Sequence, residues 1–178
     1  MKVEPVGFPT REPMLAEGKV DSVTGFSFSS YLNLVRLGVP EEDISTILMA
    51  DHGLKLYGNA VIVNTDYAKN NSDMVKKFLV AIGAGWRDAI KDPKAAAAAL
   101  VKRNPAADAA LEQRRLQLAI DANVLTDYVK ANGMGGVDSS RFAAAIEQLS
   151  ETYEYKAAPN AALYFTDEYL PASGISLN

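Results

Sequence analysis

A chain of 178 residues with 48% hydrophobic and 22% charged side chains can bury a core and has the composition of an ordinary globular protein. Its net charge of −4, with acidic and basic residues interspersed, argues against a nucleic-acid binder, which shows a basic face. The absence of cysteine excludes disulfides, thiolate catalysis, cysteine-ligated zinc and iron–sulfur clusters. The longest apolar run, residues 95–101, is too short to span a bilayer. Met1-Lys2-Val3-Glu4-Pro5 lacks the apolar core of a signal peptide. On that reading the protein is either cytosolic or without its native N-terminus.

The first third reads as α/β. Residues 3–6 suggest a short strand. Pro9 and Pro13 sit near a helix start, and Gly18 stops that helix after Glu17. Residues 20–24 alternate apolar and polar side chains as a strand does, and Gly25 ends them. Phe28, Leu32 and Val35 recur at helical spacing, closed by Gly38 and Pro40. Residues 44–50, rich in apolar and β-branched side chains, read as a strand. Asp51-His52-Gly53 is a turn. The clearest strand signal is Ala60-Val61-Ile62-Val63, bounded by Asn59 and Asn64.

Everything after that reads as helical. Ser72 caps a long helix with Met74, Val75, Phe78, Leu79, Ile82, Trp86 and Ile90 on one face. Gly83 and Gly85 lower its propensity and suit a close contact with another element. Asp92-Pro93 opens an alanine-rich helix that ends at Asn104-Pro105. Residues 108–121 and 126–130 are two more helices. Residues 133–136 form a glycine-rich turn. Asp138 or Ser139 caps a last helix with Phe142, Ile146, Leu149 and Tyr153 as its stripe. Three or so strands are too few for a sheet, which usually has about four to six, so the α/β part calls for completion from elsewhere.

Three stretches of the sequence carry a family resemblance. One is Arg11-Glu12-Pro13-Met14-Leu15-Ala16-Glu17-Gly18-Lys19-Val20-Asp21-Ser22-Val23-Thr24-Gly25-Phe26. The second is Leu56-Tyr57-Gly58-Asn59-Ala60-Val61-Ile62-Val63-Asn64, with a following helix that contains Val75-Lys76-Lys77-Phe78-Leu79. The third is Gly135-Gly136-Val137-Asp138 with Phe165-Thr166-Asp167-Glu168-Tyr169-Leu170-Pro171. Together they resemble the substrate-binding proteins of nitrate/sulfonate/taurine and thiamine-pyrimidine ABC transporters. The resemblance implies an α/β class of fold. It would be a partial periplasmic-binding-protein (type II, Venus-flytrap) fold, with few strands at the N-terminal end and a mainly helical C-terminal region. Residues 1–58 would then end the second α/β lobe. Residues 59–178 would hold the return strand and the helical region that packs on a first lobe missing from this sequence. It further implies a truncated solute-binding component, periplasmic, that passes a small solute to ABC permease subunits. The solute would be a sulfonate, a nitrate-like anion, a pyrimidine or an aromatic acid. No cofactor and no metal are implied.

In open α/β sheets, ligands sit beyond the carboxyl ends of strands, near helix N-termini. That place here is Gly25-Phe26-Ser27-Phe28-Ser29-Ser30. Gly25 admits close backbone approach, Ser27 and Ser29 bring hydroxyls to a helix start suited to an anion, and Phe26 could stack on a planar ligand. The competing reading is a plain helix cap with Phe26 and Phe28 in the core. His52, Tyr57 and Asn59 flank the presumed crossing strand and could hydrogen-bond a solute, against a reading of them as turn and surface residues. Trp86 reads as packing, and Arg114-Arg115 as a solvated helix face before an anion site.

Neither the Gly-x-Ser-x-Gly elbow nor the His-Glu-x-x-His motif occurs. Relatives that make the thiamine pyrimidine use a cysteine-rich motif that this chain lacks, so the resemblance favours the transport branch over an enzyme. A stand-alone helical interaction protein, a homodimer covering apolar faces, is the alternative from another class.

Overall fold

The computed structural model describes residues 2–54 and 56–177. Among them, eight α-helices follow one another. They are α1 (Phe8–Ala16), α2 (Ser27–Arg36), α3 (Thr65–Asn70), α4 (Ser72–Lys91), α5 (Pro93–Arg103), α6 (Ala109–Ala119), α7 (Asp127–Asn132) and α8 (Ser139–Thr152). The chain forms two compact units. One holds Met1–Leu48 and Pro93–Asp121; the other holds Met49–Asp92 and Ala122–Asn178.

The expected α/β class is corrected here. Among the described residues there is no sheet, only an isolated antiparallel bridge between Met134 and Ile175. A strand exists only as part of a ladder, because its N–H and C=O groups point sideways and need a neighbour. Residues 3–6, 20–24, 44–48 and 60–63 find none and lie in irregular chain. Several of their apolar side chains are left in solvent: Val3 is 73% exposed, Ile47 76% and Ile62 92%, while Val20, Val23, Ile44 and Val63 are partly covered. Residues 49 and 50, the end of the strand expected over 44–50, join residues 51 and 52 of the expected turn in the short 3₁₀ turn Met49–His52.

Helices succeed because each closes its backbone bonds internally. Their ends follow from local chemistry. After α1, Gly18 at φ +69 lets its own N–H reach Leu15 O and the Lys19 N–H reach Met14 O at 2.8 Å. Gly38 at φ +87 repeats this after α2, with the Val39 N–H on Leu34 O. These are Schellman closures, which glycine makes without strain. At the other ends, Asp108 accepts from the Leu111 N–H, Thr126 from the Val129 N–H, and Asp138 from the Arg141 N–H. Helix α3 has no counterpart among the expected elements. Asn64 serves as its cap, accepting from the Asp66 and Tyr67 N–H groups.

In the first unit α1 packs on α2, α2 on α6, and α5 on α6. Leu32, Leu34, Ala97 and Ile120 are its buried apolar residues, and Glu12 is buried too, at 4% exposure. In the second unit Ala68, Val75, Ala145, Ile175 and Leu177 are buried. The two glycines inside α4 differ in kind. A Cβ on Gly83 would lie 2.2 Å from Ile175 Cγ2, whereas a Cβ on Gly85 meets nothing within 4 Å.

That difference predicts opposite outcomes for one substitution. Gly85→Ala gains helix propensity, about 0.5–1 kcal/mol. Gly83→Ala displaces Ile175 and loses roughly 1–3 kcal/mol. Urea unfolding of the two variants reads the signs, and two gains of equal size would mean that Ile175 does not seat on Gly83.

Candidate functional site

Helix α2 starts at Ser27 with Phe26 in extended geometry at the N-cap and no side-chain cap bond. The first N–H groups of a helix lack intrahelical partners and carry the positive end of its dipole. Around this start a polar cluster reaches in from α1. Arg11 Nη1 donates to Thr24 O at 2.6 Å. Ser30 Oγ donates to Glu12 Oε1 at 2.6 Å, and Arg11 Nη2 lies 3.5 Å from the same oxygen. The guanidinium carbon of Arg11 sits 4.5 Å from the centre of the Phe8 ring, a cation–π contact. A buried carboxylate needs a donor and a counter-charge, and Ser30 and Arg11 provide them.

Gly25 acquires its reason here. A Cβ at that position would fall 1.9 Å from Ser30 Oγ and 3.5 Å from Arg11 Nη2. Its role is to leave room for the hydroxyl that serves Glu12. Phe26 stands half out in solvent at 51% exposure, stacked on Phe28 with ring centres 5.3 Å apart and planes 19° apart. So Phe26 is not a core residue. Ser27 and Ser29 are partly exposed on the first turn of α2.

Two arginines of α6 hold this helix in place. Arg115 donates from Nη1 to Phe28 O and Ser29 O at 3.2 and 3.3 Å, and from Nε to Glu112. Arg114 grips Glu41 through both terminal nitrogens, at 3.1 and 2.9 Å, and the Tyr31 hydroxyl donates to the same carboxylate. The Arg114 bonds, and then the Tyr31 hydroxyl, hold the Glu41 carboxyl below the ordinary carboxylate range. The same bond to Glu41 raises the Tyr31 phenol. Both arginines are tethers between elements, beyond the solvated face that the sequence suggests. Their partners Glu41, Asn33 (whose Oδ1 accepts from Arg115 Nη2 at 3.4 Å) and the α2 carbonyls carry no motif, so only the packing of α6 on α2 reveals them.

His52, Tyr57 and Asn59 belong to the second unit. His52 ends the Met49–His52 turn and is exposed, as is Asn59. Tyr57 is half-buried, and its hydroxyl accepts from the Asp138 N–H at 2.8 Å. The Arg141 guanidinium lies 4.5 Å from the Tyr57 ring centre and donates to Leu56 O. Phe142 tilts against Tyr57, and Phe165 meets Phe142 edge-on, each at 6.2 Å. Asp138, the cap of α8, is held below its ordinary pKa by the Ser140 hydroxyl and then the Arg141 N–H. The structure thus gathers Gly25, Phe26, Ser27 and Ser29 at one helix start in the first unit and sets Tyr57 in an aromatic cluster of the second. Arg11 and Glu12, within α1 and just before Pro13, complete the first cluster. The one sequence signal for them is a consecutive Arg-Glu pair beside a proline near a helix start.

Among the described residues, no group of three or more His, Asp or Glu side chains could hold a metal ion. No described helix is long and apolar enough to cross a membrane.

The start of α2 thus combines a first turn without a side-chain cap, the Arg11 guanidinium bound to Thr24 O and Glu12, and the exposed Phe26 ring. Residues 1–96 match the family model described as NMT1/THI5 like. The chain belongs to that family, which comprises the nitrate, sulfonate and taurine substrate-binding proteins of ABC transporters and the THI5 proteins. All seven candidate residues fall inside the matched span. No curated protein and no solved structure matches the chain.

Two outcomes follow from this geometry. Ser30→Ala and Gly25→Ala each deprive Glu12 of its hydroxyl donor, and each costs roughly 1–3 kcal/mol. In the double variant the losses do not add, because both act through one bond. A fully additive pair in urea unfolding would refute the shared mechanism. Separately, a carboxyl whose folded pKa is depressed adds stability above its unfolded pKa, and this stability is lost as pH falls through the folded value. The melting point should therefore fall more steeply below about pH 4.3 in the parent than in Glu41→Gln. Parallel curves would remove Glu41 from the acid limb.

Proposed function

We propose that the chain is a solute-binding module, one that captures a small polar or anionic solute and delivers it to the permease of an ABC importer in the periplasm. The observation that carries this reading is the match of residues 1–96 to the NMT1/THI5-like family, which spans the α2 start with its guanidinium neighbour. In this reading the first-turn N–H groups of α2 and the hydroxyls of Ser27 and Ser29 receive the anionic or polar edge of the solute. Phe26, exposed and already stacked on Phe28, offers a face to a planar ring. In the second unit, taken by itself, Tyr57, Asn59 and His52 are the proposed ligand-binding groups. Sulfonates, nitrate-like anions, pyrimidines and aromatic acids all suit such groups. The chain acts by binding and carries out no chemistry; synthesis of a pyrimidine, as in the THI5 branch, is the competing activity.

A second reading has its own support. Ile47 and Ile62 are 76% and 92% exposed, and Val61, Phe78 and Leu163 are each more than half exposed. Ile47 lies in the first unit and the others in the second, and in each unit apolar side chains at this exposure favour cover by a second copy of the chain.

Thermal-shift titration against the four solute classes tests the first reading, with mass by light scattering in the same buffer. One class should raise the melting point with dose, by about 2.7 kcal/mol of stability at a hundred times Kd. Phe26→Ala and Ser29→Ala should each weaken that ligand about tenfold, a loss of about 1.4 kcal/mol. A monomer that responds to none of the four classes at millimolar concentration would overturn the solute-binding reading, and a silent dimer would favour the second.

A further inference from the structure

We infer, building on the dimer reading above, that α4 pairs in antiparallel register with α4 of a second copy of the chain. Helix α4 has two apolar strips. Val75 and Gly83 are buried on the first, with Leu79, Ile82 and Trp86 partly covered beside them. Met74, Phe78, Ala81 and Gly85 make the second, at successive spacings of four, three and four residues. On a helix turning about 100° per residue they fall within about 60° of arc. All four are exposed, Met74 at 57% and Phe78 at 54%, and a Cβ on Gly85 would meet nothing within 4 Å. Spacings that alternate between four and three are those of a seam between two packed helices.

Charge selects the partner and its direction. Lys77 and Asp88 border the second strip on the side away from Val75 and Gly83. Both are exposed, and neither belongs to an ion pair among the described residues. Across a two-fold axis near Ala81, each Lys77 comes beside the Asp88 of the second copy, giving two opposite-charge pairs. In a parallel pair Lys77 would face Lys77 and Asp88 would face Asp88, and both contacts repel.

Side-chain size agrees with the same axis. Phe78 of one helix comes level with Gly85 of the other, where no Cβ opposes the ring, and Ala81 meets its own copy at the crossing. Small side chains there let the two axes approach to about 8 Å. The strip thus holds both members of the charged pair, and both the ring and the gap that receives it. One patch that is its own complement is what a two-fold interface requires.

The chain has no cysteine, so single introduced thiols report the register. On oxidation, Ala81→Cys should give a disulfide-linked dimer, because its two copies meet at the crossing. Met74→Cys should not, since its two copies lie about 20 Å apart along the axis. Equal cross-linking at both sites would mean a parallel pair and would overturn the inference. A dimer by light scattering that cross-links at neither site would also overturn it, while leaving the dimer reading intact. A monomer into the high micromolar range would sink the dimer and the pairing together. Sedimentation then tests the charges. Lys77→Glu and Asp88→Lys should each raise the dimer Kd at least about threefold, and the double reversal should return it to the parent value. A double variant no tighter than the two single ones would overturn the antiparallel register.

Discussion

Each peptide group taken out of water must find a hydrogen-bond partner, and this requirement shapes both units. Helices meet it from within a single segment, strands only with a neighbour. Apolar runs that could become strands stay irregular, and several of their side chains, Val3, Ile47 and Ile62 among them, remain in solvent. The helices then carry the burden of forming a core with few wholly buried residues. Their ends are finished by side chains and glycines placed where the ladder runs out: Asp108, Thr126 and Asp138 at starts, Gly18 and Gly38 at stops.

The same demand reaches the side chains of the first unit. Glu12 is buried and must be answered, which fixes Ser30 on α2 and Arg11 on α1 and empties the space at Gly25. Packing of α1 on α2 is thus tied to one carboxylate and its donors. From α6, two arginines do similar service for α2, one through a carboxylate on the Glu41–Asp43 turn and one through main-chain carbonyls. The start of α2 is thereby held by two other helices while its first turn has no side-chain cap.

Much of the helical layout was legible in the sequence. The long helix expected from Met74 to Ile90, the Asp92-Pro93 break and the cap expected at Asp138 or Ser139 reappear, within a residue or so, as α4, the start of α5 and the start of α8. Of the expected α4 stripe, however, only Val75 is buried, while Met74 and Phe78 are more than half exposed. Periodicity and capping are local signals, and local structure obeys them. The expected strands fail because residues 20–24 and 60–63 have strand composition without strand partners, and composition cannot supply a ladder. Asn64 illustrates the ambiguity: as a strand boundary and as a helix cap it is the same residue, and only the two N–H groups pointing at its Oδ1 decide. Of the candidate site, the turn at Gly25 was visible as a glycine before a serine-rich helix start. The buried Glu12 was not, since nothing about a glutamate next to an arginine announces burial.

Gly133 and Gly174 cross back to back, and a Cβ on either would meet main-chain atoms of the opposing segment within 2.6 Å. Both also hold positive φ, at +77 and +68. Because the obstructing atoms are backbone, no change of a neighbouring side chain can make room. The two positions therefore close off routes of sequence drift: neither can vary first and wait for the other to compensate. In a library of random variants this crossing would stand out as a pair of sites that resist substitution, while Gly85 on α4 has open space for a Cβ.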